Sequence, residues 1–409
     1  MHRHPSLASR IVRAYTSQKL PSHQYGPRPA LQSWSSQRIA FMYSRCQHTS
    51  RKQQSLPAAY YRGGTSRAVF FREEDLPTDR DDWNQPFLGV IGSPDAHGRQ
   101  LDGMGGGISN LSKVCVVGRS RRDDADVDYT FASLGIKNEH VDYSSNCGNM
   151  SAAVGPFAVD SGLFAVPAEG EQEVTVRIHN TNTSKIINAV FPVIDGEAAA
   201  YGEFVIDGVS GSAAPIRLDF IKPAGSRTGK LLPSGNVVDE FEGVQTTCID
   251  VANPCCFVLA SDLGVPGDLT PQQMEDHPTL LPVLDKIRRQ VGVMMGLAPS
   301  LEEVPGSVPK IALVSPDSAS TKGLTVRALS VGQPHKAIPV TVALAVAAAA
   351  KLPGSTVSTC LQSTGDGLVI KHASGTLKVD AKYDKDGDCE RATVFRTARR
   401  LMEGKIYWK

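Results

Sequence analysis

One cysteine stands where a helix is expected to begin, in the stretch SSNCGNMSAAVGPFAVDSG at residues 144–162. The small residues that follow predict a helix from Gly148, with Ser145 or Asn146 as its N-cap. Free N–H groups and a partial positive charge at a helix N-terminus can lower the pKa of a thiol. A Cys147 thiolate could take a proton from a carbon beside a carboxylate, while the same N–H groups stabilise the enolate. A buried structural cysteine is the alternative.

Other polar groups suited to carboxylates lie in two glycine-rich loops and before a second helix. RGGTSR at 62–67 combines flexible glycines, hydroxyls and guanidinium groups, which favours an anion-binding turn. DGMGGGISNLSK at 102–113 ends in small polar donors beside Lys113, and a lysine whose pKa is lowered by burial can act as an acid or base. His335 and Lys336 precede the second helix, where His335 could donate to an anion or merely cap the helix.

The elements that must position these groups occur twice in the same order. In the first half a turn leads to the helix at Gly148 and then to an alternating hairpin at 174–194. In the second half a turn at 332–335 leads to an Ala-rich helix and a hairpin at 368–383. Both helices are rich in small apolar residues, so they can lie deep within a surrounding sheet. The repeat predicts an α+β fold of two pseudo-repeated domains, each a curved, mainly antiparallel sheet wrapped around a central helix, with both helix N-termini facing one cleft.

The linker composition of FAVPAEGEQE at 164–173 sets the expected domain boundary. It predicts a first domain at 56–170 and a second at 171–403. The last strand, at 404–409, could return to the first domain. Residues 1–55 form a separate basic tail, expected to be disordered.

The charge of the chain is unevenly distributed. Residues 1–54 contain nine Lys or Arg and no Asp or Glu, and because the net charge of the whole chain is +1, the remainder carries −8. An acidic body argues against nucleic acid as a partner. The Arg- and Ser-rich, acid-free tail predicts a mitochondrial transit peptide, with a plain basic tail as the alternative and a cytosolic product if translation begins at Met42. No segment has the length and apolar character of a membrane-spanning helix.

Cofactor and metal signals are missing from the sequence. It contains no phosphate loop, no nicotinamide fingerprint and no metal-ligand spacing, so neither a cofactor nor a metal is expected. None of its eight cysteines forms a CxxC pair, which favours reduced thiols. Cys115, Cys255 and Cys256 lie in apolar strands and are interpreted as core residues. The expected partner is a small di- or tricarboxylate, and the sequence leaves open whether the protein forms a homodimer.

Six motifs, in order, resemble the PrpF family over about residues 56–409. They are RGGTSRAVFF, DGMGGGISNLSK, NCGNMSAAVGPFAV, IHNTNT, IDVANPCCFV and PHKAIPVT. The family includes 2-methylaconitate isomerase, methylitaconate Δ-isomerase, 4-oxalomesaconate tautomerase and fungal aconitate Δ-isomerase. The resemblance implies the fold of diaminopimelate epimerase, with the active site between two similar domains. This agrees with the repeat.

The chemistry that the resemblance implies is a double-bond shift or cis–trans change in an unsaturated acid such as aconitate or 2-methylaconitate, through a dienolate. It implies Cys147 and Lys113 as the acid/base pair. The residues implied to bind substrate are Thr65, Ser66, Ser109, Asn146, Gly148, Asn149, His335 and Lys336. The family commonly has Ser or Thr where this chain has Asn110 and Leu111, which leaves the substrate open.

Three further functions stay open at this point. The first is an amino-acid racemase or epimerase with one thiol at each helix, which is disfavoured because the second helix start, GQPHKAIP, has no cysteine. The second is a keto–enol tautomerase of the 4-oxalomesaconate type. The third is a non-catalytic homologue that binds a carboxylate.

Overall fold

The computed structural model describes residues 52–317, 323–362 and 367–409, and paired β-strands occur along all of this part of the chain. The nineteen strands of this part belong to one continuous sheet. Lys52–Lys409 forms one compact unit. Residues 1–51 of the predicted transit segment, including Met42, lie outside the described residues.

The first half of the sheet comes from strands before residue 222 and from the C-terminal strand. Their bounds are β1 (Gln54–Gly63), β2 (Ser66–Arg72), β3 (Lys113–Arg119), β4 (Val127–Leu134), β5 (Val141–Asp142), β6 (Glu171–Asn180), β7 (Lys185–Ile194), β8 (Glu197–Ala198), β9 (Ile216–Ile221) and, at the end of the chain, β19 (Ala398–Trp408). The order along the sheet is β19-β1-β2-β3-β4-β6-β7-β9. The β2–β3 and β4–β6 pairs are parallel, and the other pairs in this order are antiparallel.

The second half repeats this order. Its strands are β10 (Asp239–Phe241), β11 (Val244–Val251), β12 (Asn253–Leu259), β13 (Lys310–Pro316), β14 (Gly323–Ser330), β15 (Gln333–Pro334), β16 (Leu368–His372), β17 (Gly375–Tyr383) and β18 (Cys389–Arg396). The order is β10-β11-β12-β13-β14-β16-β17-β18, with β12–β13 and β14–β16 parallel. The antiparallel pair β9–β18 joins the halves. Each of the eight strands in one order therefore has a counterpart in the other, which supports the duplication read from the sequence.

Two of the α-helices are enclosed by the sheet. The helices are α1 (Asn84–Ile91), α2 (Gly148–Asp160), α3 (Pro271–Asp276), α4 (Leu280–Met294) and α5 (Val340–Ala349). Helix α2 packs against β1, β2, β6, β7 and β9, and α5 packs against β11, β12, β17 and β18. Every residue of α5, and every residue of α2 up to Val159, is buried, as expected of helices that are apolar on all sides. The predicted α+β fold with two enclosed helices is confirmed.

The remaining helices cover the outer faces of the sheet. Helix α4 places Leu284, Ile287 and Val291 in an apolar cluster with β11–β13, and α1 places Phe87 in a second cluster beside Trp408. Pro278 lies between α3 and α4, whereas Pro282 is in the first turn of α4 and does not interrupt it. Short 3₁₀ turns occur at Glu73–Asp75, Arg80–Trp83, Ser261–Leu263 and Ser358–Cys360.

The predicted boundary near residue 170 does not coincide with the division within the sheet. Strands β6, β7 and β9 continue the first half and contact α2, so the halves divide between Ile221 and Asp239. The Pro/Gly/Glu-rich stretch is only the connection from α2 to the hairpin β6–β7. The C-terminal strand pairs with β1, the position to which residues 404–409 were expected to return, and it begins earlier, at Ala398. Within the described residues, no helix is both long and apolar enough to span a membrane.

Candidate active site

A cavity lies where the starts of α2 and α5 meet. The two helices approach so closely that a Cβ on Gly148 would lie 2.7 Å from the Cβ of Val340, so glycine is required here. Polar groups line most of the cavity. They belong to Ser66, Ser109, Asn110, Lys113, Ser133, Ser145, Asn146, Cys147, Asn149, Ser307, Lys310, Ser330, His335 and Thr341. Among the described residues that line it there is no Asp or Glu.

Cys147 is itself the N-cap of α2. Its backbone is extended, with φ −105° and ψ 93°, and its carbonyl accepts the first helical hydrogen bond, from Ser151 N at 2.9 Å. The predicted caps, Ser145 and Asn146, are therefore wrong by one or two positions, because the chain turns into the helix only at Gly148. By helix geometry the N–H groups of the first turn have no partner within the helix. The thiol and these N–H groups thus share one end of α2.

A buried asparagine fixes the chain immediately before the thiol. Asn253, the first residue of β12, accepts from Asn146 N at 3.0 Å and donates to Asn146 O at 2.8 Å. The same amide donates to Thr341 Oγ1, in the first turn of α5, at 3.2 Å. Asn253 therefore ties the start of α2 to the start of α5. The side-chain oxygen of Asn146 accepts from Ser151 Oγ and Asn180 Nδ2, so this predicted binding residue also supports the turn.

The Gly63–Gly64 pair of RGGTSR packs directly on the first turn of α2. A Cβ on Gly64, whose φ is +50°, would lie 2.2 Å from Asn149 Oδ1. Asn149 Nδ2 donates to Thr65 Oγ1 at 3.2 Å, so Thr65 positions Asn149 and does not line the cavity, whereas the buried Ser66 does. The Arg62 guanidinium donates to carbonyls of the β1–β2 turn and Thr397. These glycines serve close packing, and Arg62 does not contribute to the cavity.

Lys113 enters the cavity from the first position of β3. Its side chain is buried, and its ammonium lies 5.1 Å from the centroid of the Phe131 ring. The preceding glycine-rich loop is held by buried Gln100, whose Oε1 accepts from Gly107 N and Ser112 Oγ. Ser109 N donates to Gln333 Oε1 at 3.3 Å, which joins the loop to the second half of the sheet. The loop thereby places Ser109 at the cavity wall.

Lys310 enters the same cavity from the first position of β13. It is 7% exposed, and its ammonium donates to Ser307 O at 3.0 Å. Burial lowers the pKa of Lys310 to about 8, and the nearby ammonium of Lys113 contributes in the same direction. Lys310 was not among the residues predicted from the sequence. The available signal was the repeat, because KVCVV at 113–117 and KIALV at 310–314 are matching strands that each begin with lysine.

His335 lines the cavity, whereas Lys336 does not. His335 Nδ1 accepts from Ala337 N at 3.0 Å, so the neutral ring carries its proton on Nε2 and can donate from that atom. Burial, and then the charge of Lys113, lowers the pKa of His335 to about 3, which keeps the ring neutral. His335 does not cap the helix, since α5 begins only at Val340 with Pro339 as its N-cap. The Lys336 side chain is exposed.

Eight of the ten predicted site residues therefore line one cavity, and Thr65 and Lys336 do not. Asn253, Ser307, Lys310 and Thr341 were missed. The IHNTNT motif supports the site from behind, since Asn182 binds the backbone of Phe131 and Tyr143.

The other described cysteines are core residues. Cys115, Cys255 and Cys256 are fully buried, as predicted, and burial raises the pKa of each thiol. Of the seven cysteines described, Cys147 is the partly exposed one, and none of the seven is in a disulfide. No cluster of three or more His, Cys, Asp or Glu that could hold a metal occurs in residues 52–317, 323–362 and 367–409.

Solved structures place this architecture among known folds. A crystal structure of methylitaconate Δ-isomerase matches with a TM-score of 0.70 and 38% identity, covering 88% of this chain and 96% of that one. A hydroxyproline epimerase from Agrobacterium vitis matches with a TM-score of 0.53 at 10% identity, covering 86% of this chain and 92% of that one. The second match shows the fold alone, and it supports the predicted epimerase-like architecture.

Sequence comparison identifies relatives of this chain and its family. The chain is 38% identical over 376 residues to 3-methylitaconate isomerase of Eubacterium barkeri, covering 87% of this chain and 97% of the relative. It is 40% identical over 360 residues to 4-oxalomesaconate tautomerase of Pseudomonas putida, covering 87% and 96%. The family model described as PrpF protein matches residues 53–409, which is nearly all of the chain that the structure describes. By its sequence, the chain belongs to the PrpF family.

Proposed function

We propose that this protein is a cofactor-independent isomerase that shifts, or changes from cis to trans, the C=C bond of an unsaturated tricarboxylate such as aconitate or 2-methylaconitate. The observation that carries the proposal is one cavity that contains a thiol at a helix start, a buried lysine and several hydrogen-bond donors that could bind an anion. The described lining has no carboxylate, which favours an anionic substrate. The names of the relatives, an itaconate isomerase and an oxalomesaconate tautomerase, support unsaturated acids as the substrate class.

The first step is removal of a proton from the carbon beside a carboxylate. That carboxylate accepts hydrogen bonds from the N–H groups of Gly148 and Asn149 at the start of α2, where the helix dipole favours negative charge. The Cys147 thiolate takes the proton, and the electrons of the broken C–H bond spread over the allylic system and the carboxylate as a dienolate. The same N–H groups stabilise the added charge.

The second step returns a proton elsewhere. The Lys113 ammonium donates it to the far carbon of the dienolate for a double-bond shift, or to the original carbon after rotation for a cis–trans change. The cycle ends with a thiol and a neutral amine, and transfer of one proton from sulfur to nitrogen restores the starting state. No atom or electron is gained or lost by the substrate, so the cycle requires no cofactor.

Turnover in heavy water tests this assignment. The full-length protein is incubated in D₂O with aconitate, 2-methylaconitate, methylitaconate or oxalomesaconate, and products are followed by proton NMR. We expect a C=C shift or cis–trans change, with deuterium incorporated, in at least one of the first three acids. Cys147→Ala and Lys113→Ala should each lower kcat/KM at least about a hundredfold, whereas Cys360→Ala, which removes a thiol outside the cavity, should not. Wild-type turnover by either site variant would contradict the assignment.

The same experiment distinguishes the isomerase from a tautomerase, a racemase and a binding protein. A tautomerase would act on oxalomesaconate and leave aconitate unchanged. A racemase would exchange the α-hydrogen of an amino acid without moving a double bond, but the N-cap of α5 is Pro339, so no second thiol stands at that helix start. A binding protein would show saturable binding without turnover.

A further inference from the structure

The duplicated sheet repeats one chemical group at its centre. Lys113 begins β3 beside its parallel neighbour β2, and Lys310 begins β13 beside its parallel neighbour β12. Each lysine is 7% exposed, and both line the cavity. The two halves therefore deliver two ammonium groups to one small space, from positions related by the repeat. The proposed chemistry uses only one of them.

The hydrogen bonds of Lys310 leave most of its ammonium unused. An ammonium has three N–H donors. Within the described part of the chain, Lys310 donates one hydrogen bond, to Ser307 O. Asp142 is the carboxylate whose charge acts on the pKa of Lys310, but it does not line the cavity. Its Oδ1 already accepts hydrogen bonds from the N–H and hydroxyl of Ser144. A buried charge without a counter-ion is unfavourable unless something pairs with it.

The environment of Lys310 shows what would pair with it. In the proposed resting state the cavity holds two ammonium groups that repel each other, the Cys147 thiolate at the positive end of α2 and the neutral ring of His335, and its described lining has no Asp or Glu. A single carboxylate at the start of α2 would be held by backbone N–H groups and would leave two N–H donors of Lys310 without an acceptor among the described residues. An acid with a further carboxylate would supply acceptors for these donors.

We propose that Lys310 binds a carboxylate of the substrate other than the one that becomes the dienolate, so that the cavity selects polycarboxylates. The inference rests on the proposed function, since it assigns the first carboxylate to the start of α2. Lys310 is a substrate-binding residue in this assignment, whereas Lys113 is the residue that transfers a proton.

A saturated tricarboxylate tests the binding role without turnover. Tricarballylate has no C=C bond, so its affinity for the full-length protein can be measured by calorimetry. Lys310→Met keeps an unbranched side chain and removes the charge; it should weaken tricarballylate binding by about tenfold or more, because a charge-assisted hydrogen bond is lost. Lys310→Arg should recover part of the affinity. The matched control is Lys185→Met, because Lys185 is half-buried, donates to Ala224 O at 2.6 Å and lies outside the cavity.

Kinetics and stability distinguish binding from a structural role. With an acid that the wild-type protein isomerises, Lys310→Met should raise KM about tenfold or more while kcat changes less than about threefold. Its melting temperature without ligand should be equal to or above that of the wild type, since a buried ammonium with a single described hydrogen bond is removed. If Lys310→Met aggregates, Lys310→Gln replaces it in the same measurements.

Three results would overturn the proposal. They are a wild-type protein that does not bind tricarballylate, a Lys310→Met variant that binds it within twofold of the wild type, and a variant whose kcat falls while KM and affinity stay unchanged. A wild-type protein that binds tricarballylate through Lys310 but isomerises none of the acids would instead refute the proposed function and leave the Lys310 assignment standing.

Discussion

Replacing Asn253 with alanine should damage the site through the backbone that precedes the thiol. The Asn253 side chain pairs with both backbone groups of Asn146 and reaches Thr341 on the other helix. All three residues are buried. Asn253→Ala removes these hydrogen bonds without touching any residue of the cavity wall except through Asn146 and Thr341.

The expected loss of stability follows from the groups left unpaired. A buried donor or acceptor that loses its partner costs about 1–3 kcal/mol. Asn253→Ala leaves one donor and one acceptor of Asn146 in this condition, and the Thr341 hydroxyl can rotate to another partner. The free energy of unfolding should therefore fall by about 2–6 kcal/mol, counted over the two backbone groups.

The expected loss of activity follows from position. Cys147 is the next residue after Asn146, and a misplacement of about 1 Å of a reacting group can cost about a hundredfold in rate. The kcat/KM of Asn253→Ala should therefore fall about a hundredfold. The labelling rate of the partly exposed Cys147 by a neutral disulfide should also change.

The matched control is Asn188→Ala. Asn188 is half-buried, and its side-chain oxygen has no hydrogen-bond partner among the described residues. Its removal should change the free energy of unfolding by less than about 1 kcal/mol. Urea unfolding followed by tryptophan fluorescence measures both variants. Equal stability of the two variants, or wild-type activity in Asn253→Ala, would refute the role assigned to Asn253.

Three further predictions concern helix packing, pH and the tail. Gly148→Ala should lower the free energy of unfolding by about 1–3 kcal/mol, since the new methyl group meets Val340; adding Val340→Ala should restore part of it, and no recovery would contradict the contact. Burial holds the pKa of His335 near 3 and that of His372 near 4 in the folded protein, whereas the pKa of histidine in the unfolded chain is near 6.5. As the pH falls from 6.5 towards 4, the unfolded state therefore binds more protons than the folded state. The free energy of unfolding falls over this range. The double variant His335→Asn/His372→Asn should lose less stability between pH 7 and pH 5 in urea unfolding, and an identical loss would exclude these rings as the cause. Residues 1–55 fused to a fluorescent protein should direct it to mitochondria, and a fusion that begins at Met42 should stay in the cytosol; cytosolic fluorescence of both would refute the transit peptide.

Local pattern was enough to predict most strands and both enclosed helices. Alternating segments such as EVTVRIHN predict strands because one face is buried, and β6 is where that pattern lies. The pattern failed at Cys389–Arg396, where CERATVFR mixes charges with apolar residues, and that strand was missed. It also failed at the start of β19, where ARRLMEG is largely exposed and carries no alternation. In both cases pairing with neighbouring strands, and not side-chain pattern, makes the segment extended.

Local pattern could not predict the contacts that complete the site. Asn253 and Asn146 are 107 positions apart, and nothing in either stretch indicates that one side chain pairs with the backbone of the other. Lys310 begins an apolar strand, where a lysine is ordinarily solvated, and its burial follows from the approach of the two halves. The one signal with enough range was the internal repeat, because it relates Lys310 to Lys113 without requiring any knowledge of the contact between them.

The repeat also explains why the proposed chemistry is unsymmetrical. A racemase must remove and return a proton on opposite faces of one carbon, which suits two equal thiols at two equal helix starts. In this protein the halves share the lysine, but Cys147 begins one helix and Pro339 precedes the other. A single thiol with unequal partners suits a reaction in which the proton leaves one carbon and arrives at another, while the second lysine is left to bind charge. If Pro339→Cys left acid isomerisation unchanged and produced no amino-acid exchange, this account of the asymmetry would be wrong, because the missing thiol would then not be what separates the two chemistries.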